Sequence, residues 1–152
     1  MINLINHRDE QTAAELLALQ MASYQVEADI IGYNDLPPLR ENIRDIMESK
    51  EIYLGCSKEG RLAGAAAFEI EKVTLTVCKM MVHPQYFNQG IASRLMEAIV
   101  EQGRQVMNIA VSTGAANEPA IRLYRKHGFE ESGKTVIDDK LTIIHLIKVI
   151  NT

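Results

Sequence analysis

The chain has 152 residues, a formal net charge of −4, 47% hydrophobic residues and 24% charged residues. That length suits one domain with a packed core, and the balance is that of a globular chain, not a disordered one. Net negative charge speaks against a nucleic-acid partner, which wants a basic face. The two cysteines, Cys56 and Cys78, are too few for a disulfide framework and are expected to be small core residues. No Cys/His cluster suggests a metal. The start, Met1-Ile2-Asn3-Leu4, lacks the basic and long apolar regions of a secretion signal. No run approaches the roughly 20 apolar residues of a membrane span. A cytoplasmic protein with no membrane partner is expected.

Met1–Ile5 reads as an edge strand. From Asp9 to Gln25 the pattern is helical, with Ala13, Leu16, Leu17 and Gln20 at helical spacing. Asp35-Leu36-Pro37-Pro38 breaks the chain, and Leu39–Met47 forms a second short helix. Three strands follow, Ile52–Ser57, Leu62–Ile70 and Val73–Val82, with a turn at Lys58-Glu59-Gly60. After His83-Pro84, Gly90 to Gln105 is helical, with Ile91, Leu95, Met96, Ile99 and Val100 as an apolar stripe. Val106–Ser112 is a strand and Pro119–Lys126 a short helix that starts on a proline. Gly128 stands where a helix end often needs a left-handed backbone. Phe129–Val136 and Leu141–Val149 are the last strands. The short joins favour a mixed, mostly antiparallel sheet in a single α/β domain over residues 1–152.

The stretch from Met80 to Ser93, MMVHPQYFNQGIAS, is a strand, a turn and a helix start in succession. A helix N-terminus presents unpaired N–H groups and a partial positive charge. Gly90 and Ala92 remove side-chain bulk, so a diphosphate can approach the backbone whatever the net charge. Taken alone, a glycine at such a junction is equally a plain turn residue.

Val82-His83-Pro84 followed by Gly90-Ile91-Ala92 resembles the acyl-CoA loop of the GNAT N-acetyltransferase superfamily, Arg/Gln-x-x-Gly-x-Gly/Ala. Asn117-Glu118-Pro119-Ala120-Ile121-Arg122-Leu123-Tyr124, running on to Gly128-Phe129, resembles the same family's second block, Asn-x-x-Ala-x-x-Leu-Tyr-x-x-x-Gly-Phe. The resemblance implies a GNAT fold: a sheet of about six to seven strands flanked by about four helices. It also implies direct acetyl transfer from acetyl-CoA to a primary amine of a small molecule or peptide, without a metal. One position departs from the pattern: Phe87 stands where Arg or Gln usually opens the loop.

By that resemblance, the backbone of Met81 and Val82 pairs with the pantetheine arm as an added strand. Asn88, Gln89, Gly90, Ile91, Ala92 and Ser93 cradle the pyrophosphate, and Asn117 bonds the cofactor arm. Asn117 is otherwise a helix cap before Pro119. Tyr124 is the expected general acid for the departing thiolate. The general base stays open. The family's usual strand position holds Thr76, and Glu69, Glu71, Glu27 or ordered water are the alternatives. His83 and His127 are expected to be structural, the latter as a positive ring at a helix C-terminus. Arg122, Arg125 and Lys126 either reach the phosphates or form a wet helix face. Tyr24 to Leu39, with Glu27, Asp29, Tyr33 and Asp35, is expected to form an acidic acceptor side for a cationic amine. A homodimer is a default expectation. The competing reading is a CoA-binding sensor or partner-binding module without catalysis.

Overall fold

In the computed structural model, which describes residues 2–152, a short strand β1 (Ile2–Ile5) leads into a long helix α1 (Glu10–Ile31). Met1, assigned to the first strand from sequence, lies outside the described residues. Asp9 caps α1 by accepting from Thr12 N at 3.0 Å, and Gly32 closes it at φ 75°. The helix runs on past its predicted end at Gln25. No breaker stands before Gly32, and Tyr24 and Ala28 extend its buried face.

The predicted helix Leu39–Met47 is divided. Pro37–Arg40 forms a 3-10 turn, and α2 (Ile43–Met47) starts afresh. Asn42 makes the division. Its side chain accepts from Asp45 N at 2.9 Å while Asp45 accepts from Asn42 N at 2.8 Å, a capping box that fixes a new helix start.

Strands β2 (Ile52–Lys58), β3 (Arg61–Glu71) and β4 (Thr74–Val82) form an antiparallel meander. Glu59 and Gly60, at φ 53° and 75°, make the two-residue hairpin turn whose twist matches the strands. A 3-10 turn at Pro84–Tyr86 precedes α3 (Ile91–Gln102), β5 (Asn108–Gly114), α4 (Glu118–Lys126), β6 (Glu130–Val136) and β7 (Thr142–Val149). Gly103 ends α3 short of the predicted Gln105, which moves the next strand later than the predicted 106–112.

The seven strands lie in the order β1-β2-β3-β4-β5-β7-β6. Every neighbouring pair is antiparallel except β4 with β5. That parallel pairing joins only Thr74 to Asn108, Leu75 to Ile109 and Thr76 to Ala110. Beyond Thr76 the two strands part, so the middle of the sheet opens into a gap.

Two apolar layers hold the sheet. Phe68, Leu75, Leu95, Ile99 and Tyr124 pack beneath α3 and α4. Leu16, Leu19, Ile46, Tyr53 and Met81 pack beneath α1 and α2. Leu75 and Val77 of β4 face the first layer, whereas Met81 faces the second. The pairing register shifts between Ala67 and Phe68, so Cys78 is an extra residue in β4, a β-bulge. This overturns the expectation of a buried core thiol at Cys78, which is half-buried; Cys56 is buried as expected.

Candidate functional site

The site is built first from backbone. Gly64 of β3 lets the first turn of α3 lie on the sheet: a Cβ there would stand 2.7 Å from Ile91 Cγ2 and 3.0 Å from Met81 O. The chain reaches that turn through two left-handed residues, Asn88 at φ 63° and Gly90 at φ 77°. Gly90 is the N-cap of α3 and has no side chain to cap with. The first hydrogen bond of the helix is Arg94 N to Gly90 O at 3.1 Å, and among the described residues the amides of Asn88 to Ser93 make no backbone bond. Six N–H groups are therefore left at the positive end of a helix dipole.

Five of these six residues, all but Gln89, border a cleft of about 750 Å3 between β4, α1, α3 and α4. Asn88, Gly90, Ile91, Ala92, Ser93, Val82, Asn117 and Tyr124 all line it. Gln89 does not, because its side-chain oxygen accepts from Lys58 Nζ on the far side of the loop. Met81 is fully buried in the layer beneath α1. The bond from His83 N to Ala63 O (2.8 Å) fixes the alternation of the β3–β4 ladder, so the amide of Met81 turns toward β3. The groups turned toward the gap belong to Met80 and Val82. Val82 N is met by Ser23 Oγ at 3.2 Å, so the amide expected to be free for a ligand already has a partner on α1.

The inner end of the cleft is built from side chains. Tyr124 is buried, packs against Phe129 with ring centroids 5.9 Å apart, and has its phenol pushed well above the usual value by burial and then by the charge of Glu27. It stays protonated through the neutral range and is a donor. Glu27 of α1 accepts from Asn117 Nδ2 at 2.8 Å. Burial raises its carboxyl, and the Asn117 bond partly opposes that rise. Asn117 also bonds Thr113 Oγ1 at 3.2 Å and caps α4 through Ala120 N at 3.4 Å. Its amide thus spans α1, β5 and α4, and the cap read from sequence is one of its tasks. Arg122 and Lys126 stand at the mouth of the cleft; Arg125 does not line it.

A family model described as the acetyltransferase (GNAT) family matches residues 13–129. The chain belongs to the GNAT acetyltransferase family. It is 34% identical over 148 residues to the Bacillus subtilis (strain 168) protein YqkA, a UPF0157 protein, covering 96% of this chain and 43% of YqkA. The chain therefore spans less than half the length of that curated relative. Among solved structures it resembles the ribosomal-protein-S18-alanine N-acetyltransferase of Escherichia coli, with a TM-score of 0.78 at 16% identity over 100% of this chain and 94% of that one. It also resembles the Salmonella typhimurium protein yncA, solved with its cofactor acetyl-CoA, with a TM-score of 0.77 at 13% identity over 100% and 94%. These structural likenesses are of fold, and the seven-stranded sheet with four α-helices agrees with the fold class expected from sequence.

Within this GNAT chain, several residues singled out from sequence fall elsewhere. Glu69 and Glu71 are exposed on β3 and line no part of the cleft, whereas Glu27 does. Asp29 is exposed and accepts from Gln25 at 3.1 Å. Asp35 pairs with Arg40 at 3.2 Å. The expected acidic acceptor side is therefore reduced to Glu27. His83 is structural, as read: its Nδ1 accepts from Gln85 N at 3.1 Å. His127 differs in charge from expectation. Partial burial lowers its pKa, which favours a neutral ring, and Nε2 lies 3.3 Å from Ser93 Oγ. Phe87 is 41% exposed and lines the cleft. The sequence reading did not single out Ser23 or Met80, because neither carries a motif; only the folded approach of α1 to β4 reveals them.

Proposed function

We propose that the cleft binds acetyl-CoA and that the protein transfers its acetyl group directly to a primary amine of a small molecule or peptide. The observation that carries this reading is the row of unbonded amides from Asn88 to Ser93, five of whose residues line a cleft that also reaches Tyr124. A diphosphate on those amides needs no Arg or Gln side chain at position 87, because main-chain N–H groups and the helix dipole already supply the positive field. Asn88, Gly90, Ile91, Ala92 and Ser93 hold the diphosphate, with Arg122 and Lys126 beside them. Met80 and Val82 present the strand edge to the pantetheine arm once Ser23 yields.

Attack by a neutral amine on the thioester carbonyl forms the C–N bond; breaking the C–S bond expels a thiolate. Tyr124, buried and protonated, donates its proton to that sulfur and recovers one from the new amide nitrogen. No cysteine takes part. Cys78 lies on the α1 side of the sheet, and burial pushes its thiol up to about 12, so it is not a thiolate near neutral pH. The ribosomal-protein-alanine N-acetyltransferase among the structural relatives supports a nitrogen acceptor by analogy.

Calorimetry with acetyl-CoA, paired with a thiol-release assay over an amine panel, tests the reading. Tyr124→Phe is expected to lower turnover by roughly 10² to 10⁴-fold while leaving acetyl-CoA affinity in place. Binding with no thiol released by any amine would instead describe a CoA-binding module without catalysis.

A further inference from the structure

The cleft is one of two openings that meet in the gap between β4 and β5. The other is a pocket of about 180 Å3 on the α1 side of the sheet. Glu27, Met80 and Tyr124 line both, so these three side chains form the passage between them. Ile31, Leu36, Pro37, Val77, Val111 and Ile143 give the pocket apolar walls. Its volume is below the roughly 300–1,000 Å3 of sites for drug-sized ligands.

Lys79 also lines this pocket, but its charge is not on offer to a ligand. Its ammonium is buried and bonded to Glu41 Oε1 at 2.5 Å, Gln20 Oε1 at 2.9 Å and the Tyr53 hydroxyl at 3.1 Å. Gln20 Nε2 donates in turn to Glu41 at 2.7 Å and to Pro38 O at 2.8 Å. The network ties the Pro37–Arg40 turn, the outer wall of the pocket, to α1 and β4. Among the described residues, Glu27 is the one carboxylate that lines both openings, and it makes no salt bridge.

We propose that this pocket is the acceptor site, that it takes a small primary amine on a short apolar stem with no carboxylate beside the nitrogen, and that Glu27 accepts the amine's proton. The inference rests on the transferase reading above. An ammonium group at the passage meets the Glu27 carboxylate in a poorly hydrated setting, where opposite charges attract strongly. An acceptor carboxylate in the same place meets Glu27 and finds no free cation, a buried unpaired charge.

The proton balance closes. The ammonium gives one proton to Glu27 and becomes the nucleophile. The C–N bond forms, the C–S bond breaks, and Tyr124 moves the remaining proton from nitrogen to sulfur. Glu27 then releases its proton to solvent through the open cleft. Asn117 is a positioning residue: its amide holds Glu27 Oε1 and leaves the other carboxylate oxygen for the amine. The titratable groups facing Glu27 are the phenols of Tyr24 on α1 and Tyr124 on α4, both held protonated by burial. The nearest cations on the cleft, Arg122 and Lys126, lie on the exposed side of α4. Burial raises the Glu27 carboxyl above the usual 4.5, which makes it the stronger proton acceptor.

Two arms test the proposal on the full chain by thiol release from acetyl-CoA. In the first, pentylamine and isobutylamine are compared with norleucine and valine, which add only an α-carboxylate to the same stems. The amines are expected to have kcat/KM higher by about 100-fold, the scale of an uncompensated buried charge. A preference for the amino acids, or for a lysine-bearing peptide, overturns the acceptor class. In the second, Glu27→Gln is expected to lower kcat by roughly 10² to 10⁴-fold and to erase the fall in rate at low pH, with acetyl-CoA affinity unchanged. Glu27→Asp, which keeps the carboxylate, should retain that acidic limb at reduced amplitude. Turnover by Glu27→Gln within about threefold of the parent, or an unmoved acidic limb, overturns the role of Glu27 alone. A parent protein that releases no thiol with any amine removes the transferase reading and this inference together.

Discussion

The two ends of the cleft are built from different materials. At the outer end, the main-chain amides from Asn88 to Ser93 are left without backbone partners, in a short segment that adopts two left-handed conformations before a helix. At the inner end, Glu27, Asn117 and Tyr124 come together from α1 and from the N-cap and last turn of α4, with Asn117 and Glu27 90 residues apart in sequence. The first arrangement depends on local backbone geometry and is compatible with varied side chains, Phe87 included. The second depends on tertiary packing and on the identity of each side chain.

The largest expected effects belong to the inner end, where Tyr124→Phe and Glu27→Gln should reduce turnover without changing acetyl-CoA affinity. If either weakened acetyl-CoA binding as much as turnover, the division between the two ends would be wrong. Next in size is Lys79→Met, which leaves Glu41 and Gln20 without their shared partner. Glu41 is a third exposed and can hydrate in part, so a loss of about 1–3 kcal/mol in denaturant unfolding is expected, with a raised KM for the amine. Gly64→Ala addresses the outer end. A methyl group 2.7 Å from Ile91 Cγ2 and 3.0 Å from a main-chain oxygen must push the first turn of α3 off the sheet. Overpacking of this kind costs about 1–3 kcal/mol, and acetyl-CoA affinity should fall while the pH profile keeps its shape.

A smaller effect sharpens the comparison through stability. Because folding raises the Glu27 carboxyl, the group favours the folded state below about 4.5 and that advantage is lost as the pH rises through its folded value. Glu27→Gln should therefore melt above the parent at pH 7, and the difference should shrink as the pH is lowered toward 4.5. Equal melting temperatures at both pH values would mean that Glu27 is hydrated in the folded protein. Asn117→Ala should move the acidic limb of activity to higher pH, since the bond that lowers the Glu27 pKa is gone. It should also lose about 0.5–2 kcal/mol with the helix cap.

The same division explains what the sequence revealed. The strand, loop and helix from Met80 to Ser93 were readable because glycine spacing and helix-end chemistry are local. Tyr124 and Asn117 were readable only through a motif, and Glu27 only as one carboxylate among four alternatives that included water. What singled it out, burial between two openings and an amide partner from α4, exists only after folding. Local signals also misplaced boundaries: the break at Asn42 needed the reciprocal bond with Asp45, and α1 continued past Gln25 because packing beneath it continued. Gln89 looked like a ligand group by position, yet Lys58 from the neighbouring hairpin claims it.

The bulge at Cys78 lets one strand serve two masters. Upstream of it, odd-numbered side chains fill the layer under α3 and α4; downstream, the odd-numbered Lys79 and Met81 face α1. Deleting Cys78 alone would make the pairs Val77–Phe68 and Lys79–Ala67 consecutive, so the pleat would become regular and the Lys79 ammonium would stay on the α1 side beside Glu41. A flip would come from the opposite change: keeping Cys78 while forcing an even pleat would turn every side chain after Cys78 to the other face, like a zip closed one tooth out of step.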